Sequence, residues 1–149
     1  MPTILTIGHS SHTVAAFVAL LQRHGVEMLA DVRSTPASRF APQFNRAALA
    51  RSLEQAGLDY RWLGAALGGK PRAPAPMFEA GIAELLALAE TRVTAIMCAE
   101  RDPQHCHRTH LVTPAVLKKG AAVVHILSDG ELRPHDALQQ EPRQPDLFG

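Results

Sequence analysis

The chain has 149 residues, enough for one domain with a real core, and its 46% apolar and 19% charged content excludes a disordered or fibrous protein. No apolar run approaches the roughly 18 residues that span a bilayer. MPTILTIGHS lacks the basic start and long apolar stretch of a secretion signal, so a cytoplasmic, reducing setting is expected. A net charge of +1 excludes a polycation, yet the charge is uneven. Arg33, Arg39, Arg46, Arg51, Arg61, Lys70 and Arg72 face only Glu54 and Asp59 in the middle of the chain, which suits an anionic partner.

In chain order, ILTIG (4–8) is a β-rich run stopped by glycine and reads as a strand. SSHTVAAFVALLQRHG offers Ser and Thr caps, helical spacing of apolar residues and Gly25 as a stop. VEMLADVR is a second strand, and FNRAALARSLEQAG a second helix with Asn45 as N-cap and Gly57 beyond its end. LDYRWLGAALGGKPRAPAP, dense in Gly and Pro, reads as a loop. FEAGIAELLALAE is a third helix and VTAIMCAE a third, wholly apolar strand. RTHLVTPAVLKKG is a fourth helix, with Pro114 tolerable only near its first turn, and AAVVHILSDG a fourth strand.

Strands and helices thus alternate, and the strands are apolar runs. The expected fold is α/β: a three-layer sandwich with a mainly parallel sheet of about four or more strands and helices on both faces. Residues 1–130 form the single domain and 131–149 a polar, flexible tail. Such sheets bind ligands beyond the carboxyl ends of their strands. There the sequence places His9, Asp31 with Arg33, Cys98 with Glu100, and Ser128 with Asp129.

Both cysteines of the chain fall in CAERDPQHCHRTHL (98–111). Cys106 and His107 stand where a helix begins, and Arg108 adds positive charge; such surroundings stabilise a thiolate. Cys106 is therefore the candidate nucleophile, with His107 beside it and Glu100 or Asp31 for acid–base work. Zinc is the rival, but the ligand spacing matches neither a CxxC knuckle nor a paired HxxxH, so no metal ligand and no cofactor is assigned. Cys98 reads as a packed strand residue. Neither cysteine has an arginine six positions on, which excludes a CxxxxxR anion loop.

In DVRSTPASR (31–39), Arg33, Ser38 and Arg39 suit a phosphate or carboxylate clamp, while Asp31 either acts as a base or holds Arg33 in place. Tyr60 and Trp62 either stack on a base or sugar or cover the core.

TIGHS (6–10), DVRSTPASR, the 57–69 segment with Tyr60 and LGG, and CAERDPQHCHR occur in this order, and together they resemble the bacterial family named domain of unknown function 488. The likeness runs over about residues 3–128. It implies the α/β three-layer fold and no established activity. Its signature positions match His9, Asp31, Arg33, Pro36, Ser38, Arg39, Tyr60, Gly68, Cys98, Glu100, Cys106, His107 and Arg108, which the resemblance implies form one polar site.

The tail ends QPDLF (144–148), similar to the short peptides that hold the bacterial sliding clamp. Gln144, Leu147 and Phe148 are the candidate partner-binding residues, at the end of a linker that costs little to order. The expected function is an enzyme acting on a phosphate-bearing nucleotide or nucleic acid, associated with DNA repair through the tail. The candidate substrate-binding set is His9, Arg33, Ser38, Arg39, Tyr60 and Arg108. The alternatives are a non-catalytic module for an anionic ligand and a structural zinc protein.

Overall fold

The computed structural model describes residues 2–9, 12–37, 39, 41–69, 72–98 and 111–135, with Cys98 through its backbone. β1 (Thr3–Gly8) is buried on both faces after its first residue, as a central strand must be. α1 (Val14–Arg23) starts where the Thr13 hydroxyl accepts the Ala16 N–H, and it buries Phe17 and Leu21. β2 (Met28–Asp31) follows, then a 3-10 turn (Pro42–Phe44) and α2 (Arg46–Gln55), which has Asn45 as its N-cap. Gly25 and Gly57, just beyond the two helices, have φ of 69° and 81°, a left-handed conformation that glycine adopts without a Cβ penalty.

The segment expected to be a loop is instead β3 (Asp59–Trp62), the short α3 (Gly64–Leu67) and the start of α4 (Ala75–Thr91). β3 is a sheet edge whose residues alternate between exposed and half-buried, so it carries no apolar run to announce it. β4 (Thr94–Cys98) and β5 (Ala122–Ile126) flank β1, and α5 (Thr113–Lys118) lies between them in sequence with proline in its first turn.

The six described strands form one sheet in the order β3-β2-β4-β1-β5-β6; every neighbouring pair is parallel except β5 with β6. α1 and α2 pack on one face around Leu5, Ile7, Leu29 and Met97. α3, α4 and α5 pack on the other around Ile4, Ala30, Ile96 and Val123. This is the expected three-layer α/β sandwich. Among the described residues no helix is long and apolar enough to cross a membrane.

The last strand among the described residues lies just past residue 130. β6 (Leu132–Pro134) pairs antiparallel with β5, and His135 behind it is buried. The pairing sits over a polar chain: Thr6 Oγ1 shares a 2.6 Å hydrogen bond with His125 Nδ1, and His125 Nε2 shares one of 3.0 Å with His135 Nδ1. Leu132–Pro134 escapes notice in the sequence because an edge strand of three residues ending in proline has neither length nor period. Removing residues 131–149 should therefore lower thermal stability more than removing 136–149. Losing the β6 pairing and the His135 bond to His125 Nε2 should cost about 1–3 kcal/mol, or roughly 3–10 °C in Tm, in calorimetry of the two truncations.

Candidate functional site

Period-two alternation puts Asp31 and Arg33 on one face at the end of β2, and Tyr60 and Trp62 on one face of the neighbouring β3. That face is the α1–α2 side. Asp31 is fully buried, Arg33 is 7% exposed and His9 6%. A carboxylate out of water needs donors, and Asp31 has four. The Arg33 backbone N–H and Nε donate to Oδ1 at 3.1 and 2.9 Å. Arg33 Nη2 and the Tyr60 hydroxyl donate to Oδ2 at 2.7 and 2.6 Å.

The network reaches outward from this pair. Arg33 Nη2 also donates to the Phe44 carbonyl at 2.7 Å, which ties the 3-10 turn to the strand end. The Phe44 ring stacks on His9 with centroids 4.5 Å apart, and Phe17 meets Phe44 edge-on. Trp62 Nε1 donates to the Arg33 carbonyl at 2.8 Å, and the Arg46 guanidinium lies 4.7 Å from the centre of the Trp62 ring. Gly64 sits underneath: a Cβ there would collide with the Arg33 carbonyl and with Trp62 Nε1. Gly68, of the LGG motif, lies equally close to Ser34, so the loops after β2 and α3 are packed together.

His9, Asp31, Arg33 and Tyr60 thus meet at one corner of the carboxyl edge. Arg39 is exposed and makes no hydrogen bond or ion pair with Asp31 or Arg33. Ser38, Glu100, Cys106, His107, Arg108, Gln144, Leu147 and Phe148 lie outside the described residues. Among the described residues no three His, Cys, Asp or Glu side chains come together to hold a metal ion.

The spacing of Asp31 and Arg33 was the readable signal for their pairing, since side chains two apart on a strand share a face. The Phe44 carbonyl and Arg46 have no such signal, because a turn and a helix start bring them in.

Chemically, Asp31 is an anchor, with both oxygens engaged by donors. Arg33 presents a fixed plane whose Nη1 is used by neither Asp31 nor Phe44. The Tyr60 hydroxyl is held well above the ordinary tyrosine pKa. Burial is the main cause, followed by the hydrogen bond to Asp31 and then its charge; Arg33 and Arg46 pull weakly the other way.

Tyr60 is the only tyrosine, so its ionisation is visible by ultraviolet absorbance. The folded state holds the phenol proton more tightly than the unfolded chain. The associated stability is complete below about pH 10, the unfolded value, and is lost as pH rises from there through the folded value. Tyrosinate absorbance should therefore appear well above pH 10 and together with unfolding; titration near pH 10 in the folded protein would contradict the buried bond. For the ion pair, Asp31→Ala and Arg33→Ala should each cost about 3–5 kcal/mol, because each strands the other charge. The double variant should cost clearly less than their sum in denaturant titrations.

No curated protein and no solved structure matches the chain. The family described as Domain of unknown function DUF488 matches residues 13–75 and 70–113, which contain Asp31, Arg33, Arg39, Tyr60, Cys106 and His107. With most of its length matched, and with the α/β sandwich and the motif residues His9, Asp31, Arg33 and Tyr60 at one edge of the sheet, the chain belongs to the domain of unknown function DUF488 family.

Proposed function

We propose that this carboxyl edge binds a phosphate-bearing substrate, a nucleotide or nucleic acid, and that the protein is an enzyme acting on it. The observation that supports this most is the register of the three central strands. Gly8 is level with Cys98, and Asp31 with Met97, so β4 ends between His9 and Asp31. In the chain, β4 is followed by the stretch that carries Glu100, Cys106, His107 and Arg108. A buried ion pair contributes little to stability, whereas fixed donors beside reactive groups are what substrate positioning requires. In this reading Asp31 positions Arg33 and Tyr60, Arg33 contacts a phosphate oxygen, and Cys106 with His107 or Glu100 carries the reaction. Association with DNA repair, through Gln144, Leu147 and Phe148 on the sliding clamp, belongs to the same proposal and rests on the tail sequence.

One observation favours a second reading, a non-catalytic module: Asp31, the one buried carboxylate of this corner among the described residues, has no oxygen without a donor. The two readings separate on turnover. Nucleoside mono-, di- and triphosphates and short oligonucleotides are incubated with the protein and products followed by mass spectrometry. The expected result is product from one class, lost by at least 100-fold in Cys106→Ser with ligand affinity held within about threefold, as for removal of a covalent nucleophile. Binding without product from any of them would overturn the enzymatic reading in favour of the module.

A further inference from the structure

β3 is the outer strand of the sheet, and α2 runs beside it. Between them lies a groove of about 460 Å³ lined by Arg46, Ala47, Ala50, Tyr60, Arg61 and Trp62. Its small residues are on the helix and its rings on the strand, so there is room for a flat group against Trp62. The Trp62 ring is held from behind by its bond to the Arg33 carbonyl, and Tyr60 by its bond to Asp31. Neither ring has to be ordered when something stacks on it, which lowers the entropic cost of binding.

The charges point the same way. Arg33 is paired with Asp31 away from this groove, and Arg61 reaches Glu84 at 3.4 Å, but that pair is exposed on both sides (51% and 43%) and weak. Arg46 and Arg51, both exposed on α2, have no carboxylate partner among the described residues. Arg46 lines the groove and Arg51 lies one helical turn beyond Ala47, on the same row of the helix. The guanidinium of Arg46 lies over the Trp62 ring, a cation held beside an aromatic face.

We infer that this groove binds single-stranded nucleic acid, with an unpaired base stacked on Trp62 and adjacent phosphates on Arg46 and Arg51. The base takes the place of the guanidinium on the ring, and the released Arg46 pairs with the phosphate. An aromatic platform beside cations is the general means of holding single strands without reading sequence. A duplex does not fit, because its bases are already stacked on one another and Trp62 is recessed between helix and sheet. A peptide added as a strand fits poorly, because β3 offers only four residues, of which Asp59 and Arg61 are charged. The inference rests on the proposed nucleic-acid reading and names which part of the molecule holds the strand.

Trp62 is the only tryptophan, so its emission reports the groove directly. Ten-nucleotide single-stranded DNA and RNA, a DNA duplex and an acidic ten-residue peptide are titrated against the full chain. Tryptophan emission is followed together with the anisotropy of the labelled ligand. A single strand, DNA or RNA, should quench Trp62 and bind with salt-dependent affinity. Arg46→Ala combined with Arg51→Ala should weaken binding at least tenfold and lower the slope of log K against log salt by about 1.4, from about 0.7 per phosphate contact. Both arginines are exposed, so circular dichroism of the double variant should match the parent. Absence of quenching, unchanged affinity in the double variant, or equal binding of duplex or peptide overturns the inference. Loss of turnover without loss of oligonucleotide binding, as expected for Cys106→Ser, bears on the enzymatic reading alone. Unchanged oligonucleotide affinity in the arginine variant strikes the groove and leaves that reading standing.

Discussion

A carboxylate with no contact to water is the constraint around which this edge of the molecule is organised. Asp31 survives burial because four donors reach it, and three come from a residue only two positions away. That local clasp fixes Arg33, whose carbonyl then accepts from Trp62 and whose guanidinium accommodates the Phe44 carbonyl. Phe44 in turn supplies the ring against which His9 stacks. Gly64 follows from the same geometry, since no side chain fits beneath the Arg33 carbonyl. Histidine, arginine, tyrosine and tryptophan from three strand ends are thus oriented by one buried charge.

The sheet order explains why these groups meet. β2 lies two places from β1 although it follows it in sequence, and β4 fills the gap. The connections leaving β1 and β2 cross to the α1–α2 face, while those leaving β3 and β4 go to the other, so neighbouring strands part at their carboxyl ends. Such partings leave crevices in open α/β sheets. The polar corner and the aromatic groove are neighbours along that edge, joined through the Trp62–Arg33 bond.

Much of this was legible from residues alone. Apolar runs marked β1, β2, β4 and β5, because strands buried on both faces need no alternation. Gly25, Gly57, Asn45 and Pro114 marked helix ends by their backbone chemistry. His9, Asp31, Arg33 and Tyr60 could be named because each stands at or near a strand end. What could not be read was whatever depends on an edge. Asp59–Trp62 and Leu132–Pro134 are half-exposed and short, so their only signature is a neighbour distant in sequence. The Asp31–Arg33 pair was legible as one of two readings, because a clamp and an ion pair use the same residue types. The stacking of Arg46 on Trp62 depends on how α2 is laid against β3, which no local pattern encodes.

The central place of β1 has a consequence for how the chain comes to be folded. Its six residues hydrogen-bond on one side to β4, about ninety positions later, and on the other to β5, later still. During synthesis from the N-terminus, Ile4, Leu5 and Ile7 emerge long before either partner exists. The first strand made is therefore among the last to be enclosed, and the sheet closes only when β5 has left the ribosome. Contacts of such sequence separation slow folding and leave an apolar strand without its partners for most of the chain's synthesis.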